Sequence, residues 1–153
     1  MATLGAELIT NPGFYIVITP WVIEGTEWYF SAPDQIQYDD FGFDDTIYQT
    51  ISITSGKTYR VRINIDTASG ANGTVLNIKV GGTLFGTISD GDTGWHNITG
   101  TAGSNGKIEI DAVGVNSFAD YFIVNSCSVK ELISADPKFT ASGMTASGMT
   151  IAG

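Results

Sequence analysis

A chain of 153 residues suffices for one domain with a single buried core, and its 19 glycines suit short strands and tight turns better than long helices. Sixteen acidic side chains against seven Lys and Arg set a net charge of −9, which repels phosphate backbones and excludes nucleic acid as an expected partner. No apolar run approaches the roughly 18 residues of a membrane span, and no signal-peptide pattern is visible at the start.

The chain opens with Glu7-Leu8-Ile9-Thr10-Asn11-Pro12-Gly13-Phe14, a strand running into a turn. Residues 14–48 follow, rich in aromatics and, like the whole of residues 1–56, free of Lys and Arg. A strand is predicted over Ile47 to Ile53, and Ser55-Gly56-Lys57 turns into the next. Tyr59 to Asp66 alternates cleanly: Tyr59, Val61, Ile63 and Ile65 share one face, with charged or polar residues on the other. After a turn at Ser69–Gly73, Leu76, Ile78 and Val80 share a face, Gly81-Gly82 reverses the chain, and Thr83 to Ile88 returns it as a hairpin.

A loop at Asp90-Gly91-Asp92-Thr93-Gly94 leads to a strand from Trp95 to Thr99. Ser104-Asn105-Gly106 turns into Lys107 to Val113. The last strand is predicted from about Asp120 to Leu132, with Tyr121, Ile123, Asn125, Cys127 and Val129 on one inward face. Turns every 8–12 residues between short alternating strands indicate an all-β fold, an antiparallel β-sandwich of the jelly-roll kind. The domain is expected to occupy residues 1–132, with an extended C-terminal arm over 133–153. In that arm Thr140-Ala141-Ser142-Gly143-Met144 repeats at once as Thr145-Ala146-Ser147-Gly148-Met149, either a disordered end or an arm laid against a neighbour.

Asn11-Pro12-Gly13-Phe14, Gln49-Thr50-Ile51, Gly56-Lys57-Thr58-Tyr59 and the closing Phe122-Ile123-Val124-Asn125-Ser126-Cys127-Ser128-Val129 stand in an informative order. In that order the chain resembles the galactose-binding-like jelly rolls of the carbohydrate-binding module family 4/9 type over roughly residues 7–132. Such modules often place a Glu after the opening Phe and an Asp in the closing strand around a structural Ca²⁺. Tyr15 and Asn125 stand there instead, so two of the charges a hard cation needs are missing and no metal is expected. Standalone domains of this type also look like accessory virion proteins of tailed phages, either tail-fibre segments or capsid decoration proteins.

Catalytic patterns are absent. Cys127 is the single cysteine, so no internal disulfide can form, and in a strand it reads as a small core side chain. His96 is the single histidine, and nothing in the sequence pairs the two. There is no nucleophile elbow or phosphate loop. The carboxylates of Asp39-Asp40-Phe41-Gly42-Phe43-Asp44-Asp45 and Asp90-Gly91-Asp92 lack the order of a calcium loop and read as exposed turns. Neither catalytic residues nor a cofactor is expected.

Two binding roles remain. The leading expectation is a non-enzymatic phage capsid decoration (cement) or accessory virion protein, a homotrimer located in the virion. It would bind the major capsid protein or other virion proteins through Phe41, Phe43, Phe139, Met144, Met149 and Ile151. The alternative is a carbohydrate-binding module for surface glycans. There Trp21, Trp28, Tyr29 and Trp95 would stack on sugar rings, because a flat aromatic face gives large contact area at low entropic cost. The same aromatics could instead fill the core or anchor a protein contact.

Overall fold

Eleven strands account for the regular structure of the computed structural model, which describes residues 2–15, 20–69, 73–114 and 120–134. They are β1 (Thr3–Glu7), β2 (Val22–Ile23), β3 (Trp28–Ala32), β4 (Gln35–Asp39), β5 (Asp45–Thr50), β6 (Thr58–Ser69), β7 (Val75–Val80), β8 (Thr83–Ser89), β9 (Gly94–Thr101), β10 (Lys107–Val113) and β11 (Tyr121–Ile133). The first sheet runs β3-β4-β11-β6-β9, with β1 also paired to β11; the second runs β2-β5-β10-β7-β8. All pairings are antiparallel, and one core cluster draws side chains from both sheets. The all-β sandwich is therefore as the alternation predicted.

Period-2 patterning builds that core. Tyr59, Val61, Ile63 and Ile65 of β6 are buried, as are Leu76, Ile78 and Val80 of β7 and Ile108, Ile110 and Ala112 of β10. Each fully buried Ile, Leu or Val contributes about 1.5–3 kcal/mol relative to exposure. Gly81 and Gly82 both take left-handed φ (65° and 85°), as a two-residue hairpin joining β7 to β8 requires. A Cβ on Gly81 would stand 2.3 Å from the Gly103 carbonyl oxygen, so a larger residue there is excluded by space as well as by φ.

The opening segment fills a gap along β11. β4 pairs with Tyr121 to Val124 and β1 with Lys130 to Ile133; between them Leu8 N–H donates to the Val129 carbonyl (3.0 Å) and Cys127 N–H to the Pro12 carbonyl (2.8 Å). The same segment reaches the second sheet. Gln49 of β5 points inward and is buried, yet its amide accepts from Thr10 N–H (2.7 Å) and donates to the Thr10 carbonyl (2.8 Å). A buried amide satisfied on both sides costs little.

β11 departs from its expected phase. Phe122, Val124, Cys127 and Val129 are the buried residues, so Tyr121, Ile123 and Asn125 are not inward as the alternation predicted. The register shifts between Val124 and Ser126, where a β-bulge inserts one extra residue and sends both Asn125 and Ser126 to the outer face. Asn125 there accepts from Asn64 Nδ2 at 2.6 Å. The turn predicted at Ser69–Gly73 lies partly outside the described residues. The arm does so from residue 135 onward, and with it Phe139, Met144, Met149 and Ile151.

Candidate functional site

The outer face of the first sheet is organised by the β9–β6–β11 ladder. Trp95, Asn64 and Ser126 form one cross-strand row; Asn97, Arg62 and Ser128 the next; Thr99, Arg60 and Lys130 the third. At the Trp95 end lies a cleft of roughly 400 Å³ lined by Tyr15, Asp34, Gln35, Asn64, Asn125 and Trp95, among others. Tyr15 and Trp95 are 59% and 51% exposed, so both rings offer a face to solvent.

Local backbone geometry aims Tyr15. Asn11 and Phe14 take left-handed φ (59° and 54°), a conformation Asn tolerates and Phe resists at about 1–2 kcal/mol. Packing offsets that cost: the Phe14 ring is fully buried against Trp21, with centroids 5.1 Å apart. Asn11 ties the turn, its carbonyl accepting from Phe14 N–H (3.3 Å) and Trp21 Nε1 (3.2 Å) and its side chain from Tyr15 N–H (2.7 Å). With Phe14 turned inward, Tyr15 faces out and its ring folds over Gly13, where a Cβ would stand 2.6 Å from it. Opposite, the β3–β4 hairpin turns through Pro33-Asp34; Asp34 has φ 70°, the pattern of a type II turn.

The cleft floor offers hydrogen-bonding groups. The Asn64–Asn125 bond uses one donor and one acceptor, leaving the Asn125 NH₂ and the Asn64 carbonyl oxygen for a ligand. Trp95 is braced by Arg62, whose guanidinium carbon lies 4.0 Å from the ring centroid. Such an exposed cation–π contact contributes roughly 0.5–1 kcal/mol.

Of the four aromatics expected to form a sugar platform, two do not reach the surface. Trp21 and Trp28 are 3% and 2% exposed. Trp21 packs on Phe14, and Trp28 packs on Tyr38 with its Nε1 donating to the Asp45 carbonyl at 3.1 Å. Both indoles are satisfied core groups, and neither can offer a face to a ligand. Tyr29 is partly exposed on the same sheet face as Trp95, but β3 and β9 are four strand spacings apart, about 19 Å. Burial, then the hydrogen bond its hydroxyl donates to Asp39 (2.6 Å), pushes the Tyr29 pKa up to about 12.

Phe41 and Phe43 are exposed, Phe43 to 70%, on the loop between β4 and β5. That loop is stitched in place: Gly42 N–H donates to Asp40 Oδ1 (2.9 Å) and the Tyr38 hydroxyl to the Phe43 carbonyl (2.9 Å). Its acids are not all exposed, contrary to the turn reading. Asp40 and Asp45 are buried; Asp40 Oδ2 accepts from Thr74 Oγ1 (2.8 Å) and Asp45 Oδ2 from Glu27 N–H (2.7 Å). Glu27 is buried beside them, and burial, the largest influence, pushes its carboxyl above the usual range. Among the described residues, no group of three His, Cys, Asp or Glu side chains is placed to hold a metal ion.

Cys127 and His96 flank Ile63 in one cross-strand row, two strand spacings or about 9.6 Å apart. That exceeds the reach of a nucleophile–base hydrogen bond. The thiol is fully buried, and burial, then Glu7, pushes its pKa up, which leaves it an inert core group.

No protein-family model matches the chain, and no curated protein matches it in sequence. Solved structures do match in fold. A family 61 carbohydrate-binding module, solved in complex with β-1,4-galactotriose, has a TM-score of 0.51 and 17% identity, covering 82% of this chain and 98% of its own. The second N-terminal cellulose-binding domain of Cellulomonas fimi β-1,4-glucanase C has a TM-score of 0.53 and 16% identity, covering 86% and 97%. A xylan-binding domain of family 22 has a TM-score of 0.54 and 10% identity, covering 86% and 98%. At these identities the likeness is one of fold.

Proposed function

We propose that this chain is a non-catalytic glycan-binding module whose ligand lies across the outer face of the first sheet, in the cleft lined by Tyr15 and Trp95. One observation carries the reading: two exposed aromatic rings border one cleft whose floor presents the unspent donors and acceptor of the Asn64–Asn125 pair. Ring faces cover the apolar face of a sugar, while amides exchange hydrogen bonds with its hydroxyls; few-point polar contacts then set orientation. The fold shared with carbohydrate-binding modules supports the same reading. Hydrolysis of the glycan would require a carboxyl held protonated beside the scissile bond. Glu27, raised by burial, is sealed from solvent and does not line the cleft.

The test is Trp95→Ala across a broad glycan array. Binding by the parent and its loss in the variant, with a melting temperature within a few degrees of the parent's, supports the module; no binding by the parent anywhere on the array removes it.

A second reading rests on Phe43 and Phe41. Two phenylalanines exposed on a stitched loop favour a protein contact, and an accessory virion protein such as a capsid decoration subunit accommodates one. Light scattering that gives a symmetric trimer, with stoichiometric co-purification on phage particles, supports this role. A monomer absent from particles eliminates it.

A further inference from the structure

Three of the seven cations of this acidic chain stand together on the sheet face that carries the cleft. Arg60 and Arg62 project outward from β6 and Lys130 from β11, and Arg60 is the direct cross-strand partner of Lys130. Cβ atoms so paired lie about 5 Å apart, where like charges destabilise a sheet. Elsewhere Lys57 and Lys79 each hold a carboxylate at 2.8 Å, from Glu131 and Asp111, and Lys107 lies over the Tyr48 ring. Among the described residues no carboxylate comes within ion-pair distance of Arg60, Arg62 or Lys130. Glu7 is cross-strand from Lys130, yet its oxygens are taken by the N–H groups of Leu8, Ile9 and Val129 and by the Ser128 hydroxyl.

Arg62 is poised rather than merely unpaired. Its guanidinium carbon lies over the Trp95 ring, 4.0 Å from the centroid, and no carboxylate among the described residues pairs with it, so its fork of N–H donors can still grip a carboxylate or sulfate through two bonds. At the far end, Asp34 lines the cleft and Asp66 accepts weakly from Gln35 Nε2 (3.4 Å). Asp66 and Arg62 are four residues apart on β6, about 13 Å. The face therefore runs from an acidic end to a basic end, with Trp95 against the basic side.

We infer that the glycan this face accepts is anionic, its ring packed on Trp95 and its carboxylate or sulfate ester held by Arg62, with Arg60 and Lys130 extending the charged path. This rests on the glycan-binding reading and names its ligand class.

The experiment measures binding of the full chain to polygalacturonate, its fully methyl-esterified form, dextran sulfate, dextran and duplex DNA, at low and high salt. Expected is binding to at least one charged polysaccharide, about tenfold tighter than to its neutral counterpart and weakened by salt. Arg60→Gln/Arg62→Gln should lose about tenfold on that polymer and flatten the salt dependence. Binding to polygalacturonate alone assigns a carboxylate, and to dextran sulfate alone a sulfate ester. Neutral polymers bound as tightly as charged ones, or an unaffected double variant, overturn the inference while the glycan reading stands. DNA bound as tightly as the charged polysaccharide makes the patch a general polyanion surface and overturns it as well. Binding to none of these polymers, with a silent glycan array, removes both readings.

Discussion

The two outer faces of the sandwich are built from the same kind of strand and finished differently. On the second sheet, Lys79 bonds Asp111 (2.8 Å), Thr46 bonds the other oxygen of Asp111 (2.9 Å), Thr87 bonds Asn77 (2.8 Å), and Lys107 covers the Tyr48 ring at 3.9 Å. Charges and rings there are matched within the face. On the first sheet, Trp95 and Tyr15 keep exposed rings, the Asn64–Asn125 pair keeps spare donors, and three cations have no carboxylate partner among the described residues. A face that satisfies itself has little to offer a ligand; one left incomplete has capacity for it.

The strongest way to break this contrast is to remove an aromatic from each face. Trp95→Ala should weaken glycan binding by about 30-fold or more, on the scale of a hot-spot residue, whereas Tyr48→Ala should leave affinity unchanged in the same titration calorimetry. Equal losses would end the assignment of the ligand to the first sheet. Next in size, Asn125→Ala should weaken binding about tenfold by deleting one hydrogen-bonding contact and freeing its partner Asn64. Gly13→Ala should cost roughly threefold by pushing the Tyr15 ring from its resting place, with a change in tyrosine fluorescence as the independent readout.

The smallest effect belongs to the closed face. Asp111→Asn should leave affinity intact and lower stability by no more than about 1 kcal/mol, since the pair is part exposed. Its pH signature has a definite sign. The hydrogen bond that Lys79 donates to Asp111 raises the Lys79 pKa above 10.5, so its stabilisation is fully present below that value. It disappears as pH rises through the folded-state pKa, and thermal melts of parent and variant should converge there.

Strand identity and the outward placement of Arg60, Arg62 and Asn64 were legible, because Tyr59 to Asp66 alternates without interruption. The site's other half was not. Asn125 reaches the cleft only because β11 bulges, and that bulge sits where Cys127 N–H meets the Pro12 carbonyl, more than a hundred residues back along the chain. Tyr15 faces outward because Phe14 adopts a left-handed φ that packing on Trp21 sustains. Residue type alone could not tell Trp95 from Trp21 and Trp28. The ladder register settles the first, and hydrogen-bonded indoles in a short-stranded region settle the others.

The pairing of β1 with β11 has a mechanical corollary. Thr3 faces Ile133 across an antiparallel ladder, so tension applied at those two residues pulls the strands apart transversely. Bonds loaded in this way yield one after another, like a zipper, instead of sharing the load as they would in shear. The reciprocal Gln49–Thr10 clamp lies further in and carries no load until β1 has peeled away. Under traction β1 would thus release first as a short leash, while the β6–β9 pairing that carries Trp95 and Arg62 lies outside the load path.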